Sequence, residues 1–173
     1  MMTLTTGLIA AVLIIVGALI AGFVGMGMVN AMHARDTARR RRAIAANLAI
    51  ELETRRQAFD AVPVPPNAEA GISFVSAVTA LAELDYAWRS SQDGLHLLPE
   101  KLGGHLAVHY SAVRHSANFI KGQSYAAALR MLQANRIGGH PCPDAGTMRE
   151  VHVELAAAFR GVDKILQGLK SIG

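Results

Sequence analysis

Residues 8–32 read LIAAVLIIVGALIAGFVGMGMVNAM, a run without a single Asp, Glu, Lys or Arg. As a helix rising about 1.5 Å per residue, the run covers roughly 37 Å, more than the roughly 30 Å hydrocarbon core of a bilayer. In hydrocarbon every backbone N–H and C=O must be bonded within the segment, so one segment can cross only as a helix. Tilt takes up the surplus length. Residues 1–33 are therefore expected to form a transmembrane anchor. A secretory signal peptide would need a basic start, a short apolar core and a small-residue cleavage site. Here the preceding MMTLTT carries no basic side chain and arginines follow the long run directly, so the anchor is expected to stay uncleaved.

Arg35, Arg39, Arg40, Arg41, Arg42, Arg55 and Arg56 crowd into the segment after the run, while no Lys or Arg precedes it. Basic flanks of a span stay cytoplasmic. The expected orientation is a very short outer tail and a C-terminal cytoplasmic domain, in a bacterial inner membrane. Arg35 and Arg39 to Arg42 are candidate ligands for anionic lipid headgroups, which attract juxtamembrane cations. A single-strand nucleic-acid site would need stacking aromatics among those cations, and there are none, so nucleic acid is not an expected partner.

Within the run, Gly17, Ala21 and Gly25 recur every four residues, with Ala18 and Gly22 beside them. Small residues at this spacing let two membrane helices approach closely. The face suits a homo-oligomer or another membrane subunit; the alternative is a lipid-facing anchor with incidental small residues.

The chain has 173 residues, 51% of them apolar but only 5% aromatic. Without the span about 140 remain, the size of one domain. An Ala- and Leu-rich, β-poor composition favours an all-α fold, a helical bundle. Residues 34–62 form a helical pattern with Ile44, Leu48, Leu52 and Phe59 on one face, and are read as a basic juxtamembrane stalk continuous with the span. Pro63, Pro65 and Pro66 end it. The domain is placed at residues 63–173. A second helix is expected over 68–89, with Phe74, Val75, Val78, Leu81, Ala82 and Trp88 as its stripe. A break follows at 90–94. Pro99 is placed to begin a third helix to about residue 121, carrying Leu102, Leu106, Val113, Ala117 and Ile120. Gly122 is expected to separate a fourth helix over 124–137. Residues 138–146 are a Gly- and Pro-rich loop. Thr147 and Glu150 form a capping box for the last helix, whose stripe is Val151, Leu155, Phe159, Val162, Leu166 and Leu169.

Candidate chemistry is sparse. His105 and His109 share a helix face, a spacing seen in zinc and copper sites. The set is incomplete, and His152, Glu154 or the His140–Cys142 loop could complete it only through the fold. The bland reading is two surface or half-buried histidines. Asp85 and His109 each fall in the middle of an apolar stripe. A lone buried carboxylate is costly, so Asp85 is expected to meet His109 or an arginine in the core, as a structural pair or as a pH-responsive switch. Cys142 is the single cysteine, which rules out an intrachain disulfide. There is no phosphate-binding glycine loop, no Gly-x-Ser-x-Gly and no kinase motif set. No catalytic residue and no cofactor are assigned, and the chain is expected not to be an enzyme.

Leu95-His-Leu-Leu-Pro99, then Leu102 and Tyr110, resembles a pattern in small proteobacterial membrane proteins. These have one N-terminal span, an Arg-rich flank and a Leu-Gly-Leu-Leu turn before a helix that carries a tyrosine. His96 stands here at the turn's glycine. The resemblance covers roughly residues 8–120 and implies a membrane-anchored helical domain, without supplying an activity. The expected function is an interaction, scaffold or accessory subunit of a larger membrane complex; the alternative is a membrane-tethered metal or pH sensor using the histidines.

Overall fold

The computed structural model describes the backbone of residues 2–62, 64, 68–134 and 141–172, and side chains over 16–62, 64, 70–134 and 141–172. It is all-helical, with no strand among the described residues. The elements are α1 (Met2–Asp60), α2 (Ala68–Glu83), α3 (Tyr86–Ser90), a 3-10 turn (Gln92–Leu97), α4 (Glu100–Gln133), α5 (Ala145–Phe159) and α6 (Val162–Lys170). Packing divides the chain into two units, Met1–Arg40 and Arg41–Gly173.

The described residues of the first unit, 2–40, are all helix. Every side chain from residue 16 to residue 37 is exposed, Phe23 at 71% and Met28 at 67% among them. Apolar residues on all sides leave no face to bury against a core, which is the pattern of a helix solvated by lipid. Among the described residues α1 is the one helix long and apolar enough to cross a membrane, and none of its apolar stretch is buried.

The second unit has a conventional core. Residues 41–60 of α1 bring in Ala45, Leu48 and Leu52; α2 adds Phe74, Val78 and Leu81; α4 adds Leu106, Val113, Ala117 and Ile120. α4 packs on α2, α5 and α6, whose Val151, Leu155, Leu166 and Leu169 close the cluster. The expected stalk is thus divided. Its residues 41–62 belong to the bundle, since the Leu48–Leu52 face can be removed from water only by packing there.

Several expected boundaries move. α2 stops at Glu83 and α3 restarts at Tyr86; between them the Leu84 carbonyl accepts from Arg55 and the Asp85 carboxylate turns to Arg114. Pro99 is the N-cap and not the first helical residue of α4. Gly122 does not end that helix, which runs on to Gln133. One exposed mid-helix glycine costs about 1 kcal/mol relative to alanine, too little to outweigh the alanines and the apolar packing on either side. Residues 63, 65–67 and 135–140, with the proline stop, the start of the glycine loop and His140, lie outside the described set.

The last helix begins earlier than its Thr147–Glu150 box. Asp144 is the N-cap, accepting from the Thr147 backbone N–H at 2.9 Å and from its hydroxyl at 2.6 Å. These bonds hold the Asp144 carboxyl below its ordinary pKa. The helix also breaks at Arg160 and Gly161 into α5 and α6. Its stripe survives the break: Val151, Leu155, Phe159, Val162, Leu166 and Leu169 are all buried.

Candidate functional site

The densest polar constellation surrounds the gap between α2 and α3. Glu51 and Arg55 lie one turn apart on α1, on the face that carries Leu48 and Leu52, and so point into the bundle. The Glu51 carboxylate accepts from the backbone N–H groups of Ala87 and Trp88, the latter at 3.1 Å, and from the Tyr110 hydroxyl at 2.6 Å. It therefore caps α3 from another helix. A five-residue helix is far below the length that is stable alone, so it depends on tertiary contacts such as this cap.

Asp85 occupies the N-cap position of α3 without capping it. Its carboxylate is turned to Arg114, in a hydrogen-bonded ion pair, and to Arg89. The Arg89 Nε is 2.8 Å from Oδ1, an ion-pair contact outside hydrogen-bond geometry. Arg55, only 1% exposed, donates to the Leu84 carbonyl at 3.0 Å and lies 4.3 Å from the centre of the Tyr110 ring. Trp88 stacks on the same ring at 4.6 Å. Burial pulls the Arg55 pKa down, opposed by Tyr110, Glu51 and Asp85. Burial and the bond to Glu51 push the Tyr110 phenol up. The phenol keeps its proton and donates, the carboxylates accept, and the guanidinium groups of Arg55 and Arg114 satisfy a helix-end carbonyl and Asp85. The cluster is a clasp between α1, α3 and α4 and holds no free nucleophile.

His109 is 3% exposed but does not meet Asp85, which corrects half of the sequence expectation; the arginine half describes the structure. Instead, His109 Nδ1 lies 3.2 Å from the Ala158 carbonyl. That carbonyl is in the last turn of α5, where no intrahelical donor is available, so the histidine fills a bond lost at the Arg160–Gly161 break. A carbonyl can only accept, so Nδ1 carries the proton and Nε2 is bare; Nε2 is buried with no hydrogen-bond partner among the described residues. Burial, with Arg55 nearby, pulls the imidazole pKa down to about 4, against the bond to Ala158. His109 is neutral at pH 7.

Of the weak metal candidates, His105 is exposed and lines one groove with His109, while His152 stacks on Phe59 at 5.8 Å and lies 6.4 Å from the Phe74 ring. Among the described residues no group of three or more His, Cys, Asp or Glu is placed to hold a metal ion. Cys142 is half-buried with its thiol 3.8 Å from the Met148 sulfur, and burial raises its pKa. Gly17, Ala18, Ala21, Gly22 and Gly25 are all exposed, with open space around a Cβ placed at Gly17, Gly22 or Gly25. Arg35, Arg39, Arg40 and Arg42 are exposed; Arg41 is half-buried.

Open grooves mark the domain surface, two of them beside the residues just described. One of about 430 Å³ runs along Asn47, Ile50, Glu51, Leu84 and Tyr86. The other, about 370 Å³, lies between His105, Val108 and His109 on α4 and Lys164 and Ile165 on α6. Sequence reasoning gave no part in this clasp to Glu51, Arg55, Tyr110 or Arg114. The first two carried a usable signal: a charged pair at i, i+4 on a helix face otherwise made of leucine. No family model matches the chain, and no curated protein or solved structure is similar to it.

Proposed function

We propose that this is a membrane-anchored, non-catalytic interaction protein. One N-terminal span holds a small helical domain at the cytoplasmic face of a bacterial inner membrane, as a scaffold or accessory subunit of a larger membrane complex. The observation that carries the reading is the unburied apolar helix of the first unit, covalently joined to a domain whose buried charges are committed to its own backbone and to one another. The likeness to small single-span proteobacterial proteins belongs to the same proposal. The Arg-rich flank supports the orientation, and the small-residue face of the span suits contact with another helix.

The test uses the full chain. Alkaline carbonate should fail to strip it from membranes, and a reporter fused at Gly173 should be active only when cytoplasmic reporters are. Purified in mild detergent, it should bring down a stoichiometric membrane partner or run as a defined homo-oligomer, and Gly22→Ile should weaken that association. A lone monomer, or a Gly173 fusion active only outside the cytoplasm, overturns the reading.

A further inference from the structure

Two groups stand apart among the arginines of α1. Arg55 and Arg56 find partners within the fold, Leu84 and Asp163 respectively. Arg35, Arg39 and Arg40 in the first unit are exposed, and among the described residues no ion pair joins them to an acidic side chain. Asp36 is the single acid between residues 33 and 50, too little to neutralise them. They are helical, and helical side chains lean toward the N-terminus of their helix. Here that direction is back along the chain, toward the apolar run.

Distance along the helix fits the same counter-charge. Arg35 follows Met32 by about 4.5 Å of rise, and Arg39 and Arg40 by about 10–12 Å. The headgroup layer of one leaflet is about 5–8 Å thick. Arg35 thus starts inside that layer, and the long side chains of Arg39 and Arg40 reach back into it. Arg35 and Arg39, at i, i+4, are neighbours on one face with Cβ atoms about 5–6 Å apart, close enough for both guanidiniums to hold one phosphate by charge-assisted bonds.

We infer that Arg35, Arg39 and Arg40 form a binding site for anionic phospholipid headgroups, with Arg35 and Arg39 closing on a single phosphate. This rests on the membrane-spanning reading of α1. The full chain carrying Cys142→Ser and a fluorophore at Ala38→Cys is reconstituted into phosphatidylcholine vesicles. These contain nitroxide-labelled phosphatidylglycerol or nitroxide-labelled phosphatidylcholine as quencher. The anionic quencher should be enriched about fivefold per arginine at low salt, with the preference falling as salt rises and vanishing in R35Q/R39Q/R40Q. Equal quenching by the two lipids, or an anionic preference that survives the triple substitution, overturns the inference. So does loss of the preference to inorganic phosphate at constant ionic strength, which would make the site one for the free ion. A carbonate wash of the same vesicles separates the two failures. Protein that washes off refutes the span and the site together; protein that stays without anionic preference refutes the site alone.

Discussion

Within α1, residues 16–32 turn apolar side chains outward on every side, whereas residues 44–59 turn Leu48 and Leu52 inward and Arg56 outward. The backbone conformation is the same throughout. The contrast teaches that helix formation and burial are separate decisions. Alanine-rich, proline-free sequence keeps the backbone helical, and the placement of charge decides which solvent each stretch is built for.

The sharpest way to break that contrast is to remove one leucine from each region. Leu106→Ala deletes a fully buried side chain and should cost about 2–5 kcal/mol, read by urea unfolding through Trp88 fluorescence. Leu19→Ala, at a site 57% exposed, should change the same transition by less than about 0.5 kcal/mol. Equal losses would mean that the two regions share one core.

The clasp gives the next largest effect. Glu51→Ala leaves the Ala87 and Trp88 N–H groups and the Tyr110 hydroxyl without their acceptor, for about 2–4 kcal/mol. Unchanged stability would show that water replaces the carboxylate and that α3 needs no partner helix.

Acid separates the two regions by a third route, since the first unit has no buried histidine among its described residues. His109 has a folded pKa of about 4 against 6.5, so the unfolded state binds the proton more readily. Its contribution is complete above pH 6.5 and is lost as pH falls toward 4, a decline of about 2–3 kcal/mol in domain stability. His109→Gln should remove most of that slope in urea titrations at pH 7 and pH 4.5; an undiminished slope assigns it elsewhere.

The smallest effect concerns close packing, which the first unit lacks at its described glycines, Gly17, Gly22, Gly25 and Gly27. A Cβ on Gly71 would stand 2.3 Å from the Cys142 sulfur and 2.9 Å from Met148. Gly71→Ala should destabilise by about 1–3 kcal/mol, and Cys142→Ala in the same chain should recover part of it. Additive losses would disprove the contact.

How far the sequence could be read follows from what each feature depends on. The long apolar helix, the all-helical fold and the stripes of α2, α4 and α5–α6 follow from local periodicity, which needs no knowledge of neighbours. The clasp depends on tertiary placement. Asp85 looked anomalous on its helical wheel, but choosing Arg114 over His109 requires the break after Glu83. That break is fixed in turn by Glu51, 37 positions from the Trp88 amide it holds. Gly122 and Gly161 show the same limit. The residue type is identical, and only at Gly161 does a side chain from another helix, His109, sit beside the broken turn to take the released Ala158 carbonyl.

The remote cap on α3 carries a consequence for exchange with solvent. A single isolated turn of helix would trade its amide hydrogens almost at once, yet the Ala87 and Trp88 amides are tied to a carboxylate on α1. Their exchange is therefore a clock for the separation of α1 from α3, and these two amides should slow or quicken together with the amides of residues 48–55 whenever a ligand or partner changes how tightly that helix is held.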